Sequence, residues 1–486
     1  MYFVCGLVLP RLFLVSFGSD YNGVINSVAQ LLNFITVLQF GIAGSTRFAL
    51  YKVLADNDVK GISGIVVATE KYMRKIGFVL LAYIGVLAFA YPYFASTSIS
   101  AYDAGMLVLI IGASTFSQYF FGITYQILLT ADQKQYVYNV IATVATVINT
   151  VVAVILIKAG QNVFIVKLGS TLIYVLVPIV LSVYVKKTYK IDKSVPQDKT
   201  ALKNRWDVMW HTVANIVHEN TDLVVLTVLT STKQVSVYTV YYLVINGIYK
   251  VLSIFTNSLE AAFGNMFAKK EKNTAYRNLE LYEFFMCSFV SVVFSCTLFL
   301  IIPFVKLYTD QVTDVNYIEP VFAVVAVAAQ MVMCLRQPYL TVVRAAGHYK
   351  QTKNGAFAEA ILNIVISVVL TCFFGIVGVA VGTLAANLFR TLQFAAYLRK
   401  NIVGRPVVKP LLMMLWTAVN VVSVYFISTV VLKSIVVDSW LDFIIAGTGS
   451  FVIAAIVTVI TSLVFCRKNL YMIAAIAKKL LNKKKG

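Results

Sequence analysis

The feature that most constrains this chain is a succession of fourteen apolar runs, most of them long enough to cross a bilayer. They fall at about 1–17, 24–46, 76–93, 105–129, 137–157 and 162–185. After a polar break they resume at 207–230, 235–264, 284–305, 318–340, 356–374 and 376–398, and two more follow at 411–432 and 441–466. A stretch of ~20 apolar residues spans the hydrocarbon as an α-helix, whose backbone polar groups are satisfied within the segment. Only 13% of the 486 residues are charged, where soluble domains carry roughly 25%. Mean hydropathy is +0.82. The expectation is an all-α, polytopic integral membrane protein of about 14 transmembrane helices.

Formal net charge is +20. In a soluble chain that excess would suggest nucleic acid, but here its distribution points elsewhere. Alternate loops divide the basic residues 33 against 5. The rich set holds 46–75, Lys134, 186–205, 265–283, 336–355, 399–409 and the tail from Arg467; the poor set holds Lys158, Lys167, Lys233, Lys306 and Lys433. Positive charge accumulates on the cytoplasmic side of membrane proteins. Both termini are therefore expected in the cytoplasm, with the tail KKLLNKKKG held at the anionic leaflet, and no nucleic acid is expected as a partner. The six cysteines sit in or beside apolar runs without a CxxC pair and read as packing residues. The first run has no basic n-region or cleavage site and reads as a short first span.

Arg11, Lys250 and Arg390 lie inside spans, and Arg47 and Arg336 stand near their basic-side mouths. Charge at bilayer depth is costly, so such residues face the bundle interior or an aqueous cavity. The seventh run, Trp206 to Thr230, carries His211, Asn215, His218 and Asp222 at offsets 0, 4, 7 and 11, with Glu219 beside them. At 3.6 residues per turn the four share one face. The candidate roles for this face are H+ or Na+ coupling, gating, or a satisfied internal network. HENTD lacks the HExxH spacing of zinc hydrolases, so neither metal nor catalysis is expected. Glu359, alone in the eleventh run, is a second coupling candidate.

The chain also repeats itself. ILLTADQKQYVYNVIATVATVINTVVAVIL (127–156) answers LTVVRAAGHYKQTKNGAFAEAILNIVISVVL (340–370), about 215 residues later, and Asn149 answers Asn363. FGSDYNGVI (17–25) answers TSTKQVSVY (230–238) at similar spacing. The expected organisation is a first six-helix half at 1–185, a basic linker at 186–205 and a second half at 206–400. An added pair follows at 411–466, then a basic tail at 467–486. Two halves entering from the same side are parallel repeats, and transporters so built hold substrate between the halves near the midplane.

The stretch RLFLVSFGSDYNGVINSVAQLLNFITVLQFGIAGSTRFALYK (11–52), the Asn220-Thr221-Asp222 triplet and AAGHYKQTKN (345–354) resemble bacterial polysaccharide flippases. These belong to the multidrug/oligosaccharidyl-lipid/polysaccharide exporter superfamily. The resemblance covers essentially the whole chain as 12 + 2 helices, and departs from the family in the short first span. It implies a non-enzymatic flippase for undecaprenyl-pyrophosphate-linked oligosaccharide in the bacterial cytoplasmic membrane, serving O-antigen, capsule or exopolysaccharide assembly. The implied partners are that lipid-linked substrate, membrane lipids, and a polysaccharide polymerase and glycosyltransferases. Arg11, Arg47, Lys250, Arg336 and Arg390 would form the cationic cavity, since guanidinium binds phosphate oxygens in bidentate fashion. No cofactor is expected beyond a coupling ion. The alternative is an ion-coupled multidrug exporter of the same fold, which would want acids facing the cavity. A membrane enzyme is disfavoured because no external loop is long enough to house a catalytic site.

Overall fold

Helix accounts for every regular element in the computed structural model, which describes residues 2–198, 221–269 and 272–472. In chain order these are α1 (Tyr2–Asn33), α2 (Thr36–Ala55), α3 (Val59–Phe94), α4 (Ala101–Ala131), α5 (Gln135–Lys158) and α6 (Val163–Tyr189). Then come α7 (221–229), α8 (Thr232–Ala268), α9 (Lys272–Tyr308), α10 (Pro320–Ala345), α11 (Tyr349–Phe374) and α12 (Ile376–Asn401). The last two are α13 (Val408–Val431) and α14 (Trp440–Phe465). Among the described residues, eleven helices are long and apolar enough to cross a membrane. The chain is an all-α, multi-pass membrane protein.

Several helices outrun their apolar segments. The stretch 46–75 reads as a basic loop, yet α2 continues to Ala55 and α3 starts at Val59, leaving three residues between them. The apolar signal marks bilayer depth, whereas helix persists as long as side chains support it. Here Asp58 caps α3 by accepting from Gly61 N–H, and Glu70 pairs with Arg74 one turn on. α1 bends at Gly18, whose φ of +82° is open to glycine, so a new helical segment effectively starts at Ser19.

Helix ends recur at a nearly constant offset. Ala55 and Ala268 are 213 residues apart, Phe94 and Tyr308 are 214, Ala131 and Ala345 are 214, and Tyr189 and Asn401 are 212. The turns between the fourth and fifth helices of each copy match as well. Gln133 (φ +57°) and Gly347 (φ +73°) both adopt the left-handed region. Asp132 accepts from the Tyr189 hydroxyl, and His348 Nδ1 lies 2.9 Å from the Tyr397 hydroxyl. In each copy, then, the turn is tied to the end of the sixth helix.

The described chain divides into two compact units. One comprises residues 1–239 with 311–315; the other comprises 240–310 with 316–486. In the first, α3 packs on α4 and α5 on α6, around a core that includes Val24, Val28, Leu32, Leu80, Tyr91 and Leu128. In the second, α11 and α12 form a hairpin through Gly375 and approach closely. A Cβ at Gly378 would lie 2.3 Å from the Leu370 carbonyl carbon, and one at Gly382 would lie 2.1 Å from Ser367 Oγ. This is a Gly-x-x-x-Gly contact of the kind used between membrane helices. α9 carries the added pair, with Phe284 stacked on Trp416 of α13.

The radial pattern is that of a protein in lipid. On α14 the buried positions are Ala446, Ser450, Ala454, Thr458 and Ser462, one small residue per turn. On α13 the outward positions are Val408, Leu411, Leu412, Leu415, Val419, Val422 and Phe426. Small and hydroxyl side chains pack inward while large apolar ones face out, the arrangement that hydrocarbon solvent selects.

Candidate functional site

The second unit buries a charged triad. Arg336 stands where α10 breaks ahead of Pro338, which has no N–H to continue the ladder. Glu359 lies on α11 and Arg390 on α12. Arg336 Nη1 donates to Glu359 Oε1, and Arg390 Nε lies 3.4 Å from Glu359 Oε2. Arg390 Nη1 also donates to the Thr352 carbonyl at 3.2 Å and to Gln393 Oε1, while its guanidinium sits 4.1 Å over the Phe394 ring. Gly355 makes room, since a Cβ there would fall 2.2 Å from Arg390 Nη1. All three charged groups are at most 7% exposed. Two guanidinium groups against one carboxylate leave a formal +1 in a site where unpaired charge is expensive. Such a place suits an anion that can share the arginines with Glu359.

The other residues singled out in the sequence have separate settings. Arg11 on α1 and Arg47 on α2 are partly exposed, and Arg47 Nε donates to the Ala43 carbonyl at 3.2 Å. Lys250 is exposed on α8. Asp222 on α7 is buried and accepts from the Tyr238 hydroxyl at 2.9 Å. His211, His218 and Glu219 lie outside the described residues. Within the second unit the structure brings Arg336, Glu359 and Arg390 together and leaves Lys250 exposed, while Arg11, Arg47 and Asp222 belong to the first unit. No group of His, Cys, Asp and Glu able to hold a metal occurs among the described residues.

A second charged cluster escaped the sequence reading. Glu283 on α9 accepts from Arg405 Nη2 and from the Tyr339 hydroxyl, and all three residues are at most 4% exposed. Beside it, Lys409 donates to Glu280 at 2.6 Å and to the Tyr276 hydroxyl at 2.9 Å. Burial alone would pull the Arg405 guanidinium down, but the hydrogen bond to Glu283 outweighs it, so the group is held above its ordinary value. A signal did exist. Tyr276, Glu280 and Glu283 fall at offsets 0, 4 and 7, one helical face, and Arg405 and Lys409 are four apart. This two-rung ladder fixes the α12–α13 connection to α9.

On another stretch of α9 lies an apolar cavity of about 260 Å³. Its walls include Val244 of α8, Leu300 and Phe304 of α9, and Phe443 and Phe451 of α14. Its chemistry matches a hydrocarbon chain.

No family model and no curated protein sequence matches this chain. Solved structures do. Lipid II flippase MurJ in an inward closed conformation superposes with a TM-score of 0.72 at 16% identity, covering 96% of this chain and 98% of that one. An inward-facing multidrug resistance MATE transporter of the MOP superfamily gives 0.64 at 12% identity, covering 82% and 96%. The Vibrio cholerae MATE transporter VcmN in its bent form gives 0.55 at 13%, covering 85% and 94%. The chain shares the fold of these structures. At these identities the likeness is one of architecture, and substrate must be argued from the residues.

Proposed function

We propose that this protein is a flippase that moves a polyprenyl-pyrophosphate-linked oligosaccharide from the cytoplasmic to the outer leaflet of a bacterial cytoplasmic membrane. The observation that carries the reading is the extent of the match. The flippase fold covers 96% of the chain, whereas the first two MATE matches cover 82% and 85%. The MATE structures are themselves covered almost completely, at 96% and 94%, so this chain extends beyond the part it shares with them. The chemistry agrees: an amphiphile with an anionic head and a long hydrocarbon tail needs cations and an apolar groove. The second unit supplies the Arg336–Glu359–Arg390 triad and, separately, the cavity beside α14. Oligosaccharide units for a surface polymer such as O-antigen or capsule are the proposed cargo, which would place a polymerase and glycosyltransferases beside it in the cell. Coupling to H+ or Na+ through Asp222 belongs to the same proposal.

The multidrug exporter is the second reading, favoured by the MATE likeness at a TM-score of 0.64. One experiment separates the two. The purified protein in liposomes should translocate a fluorescent polyprenyl-pyrophosphate saccharide and leave cationic dyes where they are. Dye export without lipid-saccharide translocation would replace the first reading by the second.

A further inference from the structure

At the sparsely basic end of the first unit, the two copies of the repeat meet through their own equivalent residues. Ser19 begins the helical segment after the Gly18 bend, and Thr232 begins α8, 213 residues later. Each start has backbone N–H groups with no partner inside its helix, and each is capped by the loop that follows the third helix of the other copy. Asp314, in the loop after α9, accepts from Ser19 N–H at 2.7 Å and from Ser19 Oγ at 2.6 Å. Ser96, in the loop after α3, offers its carbonyl to Thr232 N–H at 2.9 Å. The capping is reciprocal.

The neighbouring positions pair as well. Asp20 and Lys233 also stand 213 apart in the repeat, carry opposite charges, and lie 3.7 Å from each other. The same Lys233 donates to the Asp314 carbonyl at 3.3 Å, and Thr232 Oγ1 donates to Asp20 Oδ1 at 2.6 Å. One turn deeper, Asn22 Nδ2 donates to Ser236 Oγ at 2.7 Å. Gly23 lets the backbones touch, because a Cβ there would fall 1.8 Å from the Thr232 carbonyl oxygen. Ser19, Thr232 and Ser236 have no accessible surface. These contacts place 232–239 and 311–315 in the first unit, although the repeat assigns them to the second copy.

We propose that this cluster is a latch that shuts the extracytoplasmic end, and that transport requires both helix starts to be uncapped together. Self-pairing of equivalent positions repels when the charges are alike; Asp20 against Lys233 converts that position into an attraction. Opening the end strips Ser19 and Thr232 of their caps and leaves Asp20 and Lys233 to water, so the closed form is favoured until a ligand binds the open form better. The transporter reading is assumed, but the nature of the cargo is not.

The test reads accessibility, which needs no substrate. Ser236→Cys is introduced after the six native cysteines are replaced, and intact cells are treated with a membrane-impermeant maleimide. With the latch intact, Ser236→Cys should resist labelling. Adding Asp314→Ala should raise the labelling rate about five-fold, the effect of losing one helix cap. Asp20→Lys should raise it too, and Asp20→Lys with Lys233→Asp should return it toward the starting rate. Equal labelling in all four proteins would overturn the latch. A second measurement covers variants that express poorly. Ser19→Cys with Asp314→Cys, oxidised to a disulfide, should stop translocation, and reduction should restore it; undiminished translocation while cross-linked would equally overturn the proposal. Should the lipid-saccharide assay itself fail with unmodified protein, the cargo assignment falls and the labelling result stands.

Discussion

Glu359 is the residue on which the buried charge of the second unit turns. It alone offsets Arg336 and Arg390 within the triad, so replacing it leaves two buried guanidinium groups facing a neutral side chain. Breaking a buried pair costs about 3–5 kcal/mol, whereas replacing an ion pair by apolar groups of similar volume is often neutral. Glu359→Gln should therefore lower the thermal unfolding temperature in detergent markedly. Arg336→Met with Glu359→Met should lose less than the two single changes summed. Additive losses would show that the pair is not coupled. Each member was visible in the sequence as a charge within or beside an apolar run. Their meeting was not, because Arg336, Glu359 and Arg390 come from three helices and no local spacing joins them. The same reason hid Glu283 and Arg405, 122 residues apart, although the stripe on α9 announced that something would face it.

At the scale of elements, glycine spacing and turn chemistry decide how the helices sit. Gly382 faces Ser367 with no room for a side chain, so Gly382→Leu should separate α11 from α12 and cost at least the 1–3 kcal/mol of ordinary overpacking. The expected readout is loss of folded protein in size-exclusion chromatography after mild heating. Gly85, with open space where a Cβ would point, should accept alanine in the same assay. The turn after α4 makes a pH-dependent contribution. Partial burial raises the Asp132 carboxyl, but hydrogen bonds from Lys134 and Tyr189 outweigh it and hold the group below the usual carboxylate range. A depressed carboxylate stabilises the fold above its unfolded value, near 3.9, and that contribution disappears as pH falls through the lower folded value. Asp132→Asn should thus reduce stability at pH 7, and the difference from the parent protein should shrink as acid protonates the folded carboxyl. A difference unchanged by acid would exclude the ionised carboxyl as its source.

For the molecule as a whole, alternation of basic loops predicts both termini on one side. A reporter active only in the cytoplasm should therefore work when fused at either end. Activity at one end alone would mean that a crossing has been miscounted. The added pair gives a further expectation. Deleting residues 408–486 removes the α14 wall of the apolar cavity along with the partner of Phe284. Translocation should be lost while the remaining helices still insert, as read by protease protection. Retained translocation would free α13 and α14 of any role with the lipid tail. By itself the sequence determined the class of solvent, the all-α architecture and the recurrence of helix ends along the chain, since apolar length, loop charge and periodicity are properties of contiguous residues. Tertiary structure alone decided how far each helix runs past its apolar core, which charges neutralise each other, and that Ser19 and Thr232 are capped by one another's copies. Those outcomes depend on contacts between segments as far apart as 295 residues, and distance along the chain carries no record of them.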